Sequence, residues 1–377
     1  SQTMPGGTAR IQGLAGTQTA LGADMSAIFS NPAGLGLYNR SVFSISPSYS
    51  FNNTQSAFQG ATREVDTDKF AIDNAGIVFS GHKNRVGGWQ GGAFGFGINK
   101  VNDFNQTLRY SGTNSQNSMV NYFIESANGA TTDQFPPLDQ TTDITSLAYQ
   151  TYLIGPENII DAAYPDDQYF SDVVSFGQPS KLQEEVIEQS GGQYQVNASY
   201  GGNYGDFLYF GLGLGLTTVD YQLTRRYSES TFDYSETDPS YDPINEIYVE
   251  ERLSTEGTGF NATFGLIVRP INFFRFGASV STPTLYNLND TYDASVTANW
   301  NDFYYSDPIG GDTVLNNLYA ESALVKSNFS LRTPFKVSGG AALFFGDVGF
   351  VSLDVDYLDY SLMFLSSNDF SMDADND

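Results

Sequence analysis

The sequence has 377 residues, with 17 Lys and Arg against 43 Asp and Glu, a net charge of −26 and no cysteine. So few cations cannot neutralise a phosphate backbone, which excludes nucleic acid as a partner, and without cysteine there is neither a disulfide framework nor a thiolate metal site. No run of about 18 apolar residues is present, so no transmembrane helix is written here, and a soluble protein or a barrel that crosses a membrane with strands remains.

In chain order, Ser1-Gln2-Thr3 reads as a mature start from which a signal has been removed. Residues 1–40 do not alternate: a glycine-punctuated stretch leads into a helix-compatible segment over Thr19–Phe29, then Asn31-Pro32-Ala33-Gly34. Pro32 fixes its own φ and pushes Asn31 out of helical geometry, so the helix should stop near Ser30. A compact apolar segment ahead of the first strand of a barrel has the lumen to fill.

From there, nine segments alternate apolar with small polar residues, at roughly 42–52, 70–80, 88–104, 191–202, 207–223, 257–268, 273–286, 329–345 and 348–363. Phe43, Ile45, Tyr49 and Phe51 oppose Ser44, Ser46, Ser48 and Ser50 in the first. Leu208, Phe210, Leu212, Leu214 and Leu216 oppose Gly211, Gly213 and Gly215 in the fifth. Links at 81–87, 203–206, 269–272 and 346–347 are tight, whereas those at 53–69, 105–190, 224–256 and 287–328 are long and mostly acidic. Tight turns at one end and long loops at the other describe a transmembrane β-barrel. The composition agrees, because 24 Tyr, 29 Phe and 2 Trp supply the rings that such a barrel needs at both membrane interfaces.

The polar face decides the orientation. It carries Ser, Gly, Gln and Asn, as in Gln193, Gln195, Asn197 and Ser199, with isolated charges at Arg275, Lys336, Asp354 and Asp356. That suits a hydrated lumen, with the charges paired to one another or to the N-terminal segment, and the apolar face then meets lipid. A lipocalin-like barrel would invert this polarity with the same alternation.

Little points to catalysis. His82 lies in a short turn beside Lys83 and Arg85, away from any orienting carboxylate. Gly91-Gly92-Ala93-Phe94-Gly95-Phe96-Gly97 is a strand with a glycine-rich lumen face rather than a nucleotide loop, since no helix follows. Such a strand would tolerate a kink, and a straight, continuously paired strand over 88–104 would exclude one. Acidic clusters at Asp161…Asp166-Asp167, Glu184-Glu185, Asp238…Asp242 and Asp373…Asp377 lack the regular calcium-loop spacing and read as solvated loops. No metal or other cofactor is called for. Lys181–Gln189 reads as a short amphipathic helix. Beside it, Phe135, Leu147, Tyr149, Tyr152, Leu153 and Ile154 either form an apolar capture groove or pack the loop onto itself.

Gly13-Leu14-Ala15-Gly16-Thr17-Gln18-Thr19-Ala20 followed by Asp24 to Leu35, with its Asn31-Pro32-Ala33-Gly34, is similar to the N-terminal hatch of the FadL/TodX family of outer-membrane transporters. Gly259-Phe260, Gly265-Leu266, Arg269-Pro270, Arg275 to Ser279 and Thr282-Pro283 look like its strand–turn–strand pattern, and Arg332-Thr333-Pro334 like a repeat of its last element. The resemblance covers the hatch and about a third of the barrel, and the style of the long loops is similar to that of Bacteroidota members.

What the resemblance implies is an all-β, transmembrane antiparallel barrel of about fourteen strands in the bacterial outer membrane, plugged by a hatch over 1–40, with the barrel over 41–377. Hydrophobic molecules such as long-chain fatty acids would be caught outside, pass the hatch and leave sideways into lipid. Asn31, Pro32, Ala33 and Gly34 would gate the path, and Met25, Ile28, Phe29, Leu35, Phe94 and Phe96 are the candidate ligand contacts. The family's apolar N-terminal residue has no clear counterpart in Ser1-Gln2-Thr3-Met4. Nine strands are fewer than fourteen, and Asn368–Asp377 reads as the start of another external loop, so about five more strands are expected beyond Asp377 or in a separate fragment. The alternative is a non-transporting accessory barrel docked to other outer-membrane proteins; an outer-membrane lipase lacks a Ser/His/acid set.

Overall fold

A computed structural model of the chain describes residues 7–83, 87–156, 168–235, 240–307, 311–346 and 348–367. The readings placed on Ser1 to Met4, Arg85, Asp161, Asp166, Asp167, Asp238 and Asn368–Asp377 fall outside the described residues.

The alternating segments form strands β1 (Val42–Phe58), β2 (Ala61–Ser80), β3 (Trp89–Asp103) and β4 (Gln106–Asn114). Two-residue strands β5 (Gly155–Pro156) and β6 (Tyr169–Phe170) precede β7 (Ser180–Tyr204), β8 (Leu208–Asp233) and β9 (Ile244–Ile271). Then come β10 (Phe274–Ser281), β11 (Leu285–Asp307), β12 (Gly311–Glu321), β13 (Val325–Arg332), β14 (Lys336–Phe344), β15 (Phe350–Leu358) and β16 (Phe364–Ser367). Helix α1 (Ala9–Gly13) opens the described chain, and α2 (Met119–Ala127) and α3 (Ile144–Gln150) lie between β4 and β7.

All strands but β5 and β6 belong to one fourteen-stranded antiparallel sheet. Several are successive parts of one traverse: β3 and β4 lie end to end along β7, and β10 and β11 along β9. Strands β12, β13 and β14 line up along β11 and β10, and β16 and β15 along β13 and β14. Grouped so, the fourteen strands make nine traverses, where the alternation put them. Strand β1 pairs only with β2, β15 only with β14 and β16 only with β13, so among the described residues the first and last traverses each keep an unpaired edge.

The segments read as long links are largely strand. Strands β1 and β2 continue into a tight turn at Gln59-Gly60, where φ is 49° and 77°, so 53–69 is the upper half of a hairpin. Strands β7, β8 and β9 have 25, 26 and 28 residues, against the 9–11 or so that cross a bilayer. Lys181–Gln189 is the start of β7, not a helix. Its backbone pairs with β4 on one side and β8 on the other, a full ladder that an isolated turn or two of helix cannot match.

The lower part of the sheet has its apolar face outward. Leu212, Leu214, Leu353 and Val355 are 45%, 48%, 67% and 64% exposed, and Phe43, Phe70, Phe264 and Phe276 join them in the band. A soluble lipocalin-like core is excluded by that placement. The small polar face turns inward, where the sheet curls around the N-terminal segment.

Above this band the same strands extend as a differently built unit. Along β9 the register with β8 is unbroken from Glu246 to Val268. Glu250, Arg252, Phe264 and Leu266 therefore share the outer face, and Ile247, Val249, Thr263 and Gly265 the inner one. Outside, Arg226 Nη1 lies 2.6 Å from Glu188 and Arg252 Nη2 2.5 Å from Glu250. Burial opposes ionisation of Glu250, but hydrogen bonds from Tyr248 and Arg252 and the charges of Arg252 and Arg226 outweigh it and hold the carboxyl below its ordinary range. Inside, Ile247, Val249, Val296 and Trp300 are buried beneath Phe123 of α2 and Leu147 of α3. Trp300 Nε1 donates to Thr151 O at 3.1 Å.

The N-terminus of α2 is held by buried Glu229, which accepts from Met119 N at 2.7 Å, Gln183 Nε2 at 2.8 Å, Tyr227 Oη at 2.6 Å and the Ser118 hydroxyl. Residues 115–156 and 168–179 thus form a cap on the concave side of the upper strands. Leu147, Leu153 and Ile154 are fully buried in it, and Phe135 stacks on Tyr149 at 4.7 Å, so these side chains pack the cap onto itself rather than lining a capture groove.

Candidate lumenal site

The N-terminal segment owes its shape to three local devices. The Asp24 carboxylate accepts from Ser26 N and caps a 3₁₀ turn over Met25–Ile28. The Asn31 side chain accepts from Ala33 N and caps a second one over Pro32–Leu37, with Pro32 at its first position. Thr8 Oγ1 donates to Asp24 Oδ1 at 2.9 Å, tying α1 to the first cap. The helix-compatible stretch therefore ends at Ile28, close to the predicted stop, although it is a single tight turn rather than a full helix.

The wall receives this segment along a track of glycines. A Cβ on Gly201 or Gly211 would collide with the Pro32 carbonyl, one on Gly265 with Asn31 Oδ1, and one on Gly277 with the Thr19 carbonyl. Polar side chains fix the fit. Asn31 Nδ2 donates to Thr19 O at 2.7 Å and to Leu266 O at 3.3 Å. Ser199 Oγ donates to Ile28 O at 2.7 Å, and Asp354 Oδ2 accepts from Gln18 N at 2.7 Å and Thr19 N at 2.8 Å. Arg275 Nη1 donates to Leu21 O, and Lys336 Nζ lies 2.7 Å from Asp356 Oδ2. The four isolated charges are thus paired with the segment or with one another, as their placement in a lumen required.

Above the segment lies a cavity of about 420 Å³. Phe29 and Gln18 form part of its floor, Asn99, Val101 and Phe104 one wall, and Gln193, Gln195 and Asn261 another. Across from these stand Thr333, Pro334 and Leu358. Of the candidate ligand contacts, only Phe29 reaches this space. Met25, Ile28 and Leu35 are buried between the segment and the wall, as are Asn31, Pro32, Ala33 and Gly34. Phe94 and Phe96, also named as candidate ligand contacts, are 56% and 49% exposed on the outer face, away from this space. The reason is the strand period: Ile28 sits on Gly95 and Phe29 on Gly97, so their neighbours must point out. Gln18, Phe104, Asn261 and Tyr286 were not singled out from the sequence; the inward phase of β9 and β11, followed upward, identifies Asn261 and Tyr286.

The wall is discontinuous at the level of the cavity. Strand β2 pairs with β3 only between Asn74↔Asn99 and Ser80↔Ala93, and β3 shifts register against β7 between Lys100 and Asn102. The expected kink in this strand is therefore compatible with the geometry. Higher up, the β1–β2 hairpin leans on β4 through side chains: Thr54 and Ser56 donate to the Thr107 and Arg109 carbonyls, and Arg63 Nε donates to Ser111 Oγ at 2.9 Å. Elsewhere in the wall, Thr282-Pro283 and Thr333-Pro334 interrupt two neighbouring traverses side by side. Thr282 Oγ1 accepts from Ala262 N at 3.0 Å and Thr333 Oγ1 from Thr284 N at 2.9 Å, so each hydroxyl supplies the acceptor where the ladder lapses at proline.

This arrangement can bind and orient a small molecule. Among the described residues no group of three or more His, Cys, Asp or Glu is placed to hold a metal. Glu184 and Glu185 lie on β7, 2.8 Å from Arg109 and Arg225 respectively.

No protein-family model and no curated protein sequence matches the chain. The chain is similar to the CymD monoaromatic hydrocarbon channel, at 10% identity and a TM-score of 0.45, over 97% of this chain and 72% of that one. It is similar to the Pseudomonas putida toluene transporter TodX, at 12% identity and a TM-score of 0.42, over 90% and 66%. The third is the Ralstonia pickettii toluene transporter TbuX, at 14% identity and a TM-score of 0.44, over 96% and 75%.

Proposed function

We propose that the chain is an outer-membrane protein that passes small hydrophobic molecules through a hatch-plugged barrel without an energy source. One observation carries the reading: an outward band of Leu, Val and Phe backs an inward face of glycines and amides that grips the N-terminal segment. A surface so apolar over the span of a bilayer is stable in lipid and not in water. The segment before β1 acts as the hatch, with Asn31 and Pro32 as its fixed point on β7, β8 and β9. Molecules enter beneath the cap, occupy the cavity over Phe29 and leave at the seam where β2 and β3 part. In lipid the two unpaired edges need strand partners, so the reading includes further strands that complete the barrel.

The test is expression in a Gram-negative host without its own hydrophobic-compound transporters, followed by membrane fractionation and uptake of labelled toluene and oleate. Recovery in the outer membrane with faster uptake of either probe supports transport. Recovery there with unchanged uptake of both assigns the chain to the accessory role, and recovery in the soluble fraction overturns the membrane reading.

A further inference from the structure

We propose that the lumenal cavity selects uncharged ligands that carry a hydrogen-bond donor such as a hydroxyl on a ring-sized apolar body, in preference to hydrocarbons and to carboxylates. This rests on the reading of the chain as a carrier of small hydrophobic molecules and narrows its cargo.

The cavity, at about 420 Å³, has the size of a small-molecule site. Phe29, Phe104, Val219, Leu288, Leu331 and Leu358 give it apolar surface for a ring or short chain. Between them stand amides already oriented by their neighbours. Gln193 Nε2 donates to Tyr286 Oη at 2.5 Å, Gln195 Nε2 to Asn261 Oδ1 at 3.0 Å, and Asn261 Nδ2 to Thr284 Oγ1 at 3.0 Å. With their nitrogens so engaged, Gln193 and Gln195 keep carbonyl oxygens as acceptors. On the floor, Gln18 Oε1 is buried with no hydrogen-bond partner among the described residues. A buried acceptor left unpaired is costly, and a ligand that donates to it once the side chain turns from its enclosed position toward the cavity removes that cost.

Charge sets the other limit. Among the described residues Lys336 is the single cation lining the cavity, and it is held 2.7 Å from Asp356. A carboxylate would have to break that pair or enter without a counter-ion, and either is unfavourable. A hydrocarbon would cover the amides and satisfy none of them. A site built to hydrogen-bond a hydroxyl discriminates strongly against the analogue that lacks it.

The experiment is calorimetric titration of the detergent-solubilised full chain at neutral pH with three probes of one shape: 4-ethylphenol, ethylbenzene and 4-ethylbenzoate. 4-Ethylphenol, uncharged at this pH, should bind at least about tenfold tighter than either other probe. Replacing Gln18→Leu together with Gln195→Leu should reduce that preference to about threefold or less. If the double variant does not fold, the ranking on the unaltered chain decides alone. Ethylbenzene or 4-ethylbenzoate binding as tightly as the phenol overturns this inference while leaving hydrophobic transport intact. Binding of none of the three overturns both.

Discussion

The lower and upper halves of β9 share one strand, one register and one period, yet their faces carry opposite chemistry. Below, Phe264 and Leu266 point out while Thr263 and Gly265 point in. Above, Glu250 and Arg252 point out while Ile247 and Val249 are buried under the cap. Nothing in the backbone changes between them; on the proposed function, what changes is the medium on each side. In that reading the lower outer face is apolar because it meets lipid, and its inner face is small because a folded segment occupies the space. The upper part follows the rule of a soluble protein, with charge in water and a hydrophobic core beneath.

The largest expected effect breaks this contrast on one face of β8. Leu214→Arg places a charge in the apolar band and should cost about 2–4 kcal/mol, preventing insertion into vesicles. Gln222→Arg, on the same face above the band, should stay within about 0.5 kcal/mol. Urea titration of vesicle-folded protein checks both, and equal costs would abolish the distinction between the halves. Trp300→Ala should cost about 3–5 kcal/mol, confined to the cap. Hydrogen exchange should then speed up in α2 and α3 while the Gln18 and Thr19 amides, bonded to Asp354, stay protected.

Asn31→Leu removes the donor to Thr19 O and Leu266 O and the cap on Ala33 N, and should cost about 1–3 kcal/mol. Limited proteolysis should then cut within 7–40 and spare the strands.

The smallest effect is a pH dependence of the upper exterior. The Glu250 carboxyl lies below its ordinary value in the folded chain, so its contribution is complete above the unfolded value and is lost as pH falls through the folded one. That contribution should be under about 1 kcal/mol, because the cluster faces water. Melting curves between neutral and acid pH should show it, and Glu250→Gln should flatten them.

The same reversal explains what could be read from the sequence. The nine traverses were legible because each contains a stretch where small residues alternate with large apolar ones, as in Gly211 to Leu216. Their upward extensions were read as loops because Glu, Arg and Tyr replace Phe and Leu on the outer face there, which looks like solvated chain. Lys181–Gln189 fits a helix in sequence because Leu182, Val186 and Ile187 share a helical face; only its partners on both sides decide for strand. Within the site, Asn31 and Pro32 were legible as a local signal. Gln18 was not, since its role depends on Asp354 at the far end of the chain.

That last contact bears on the order of assembly. Gln18 and Thr19 hydrogen-bond to Asp354 across 336 and 335 positions of sequence, while Gly7 meets Asn99 of the third traverse. The seat for the N-terminal segment is therefore finished only when the ninth traverse has arrived, and closing so long a loop is slow. The segment should settle later than the strands it touches, so an unplugged intermediate should precede the mature state during insertion.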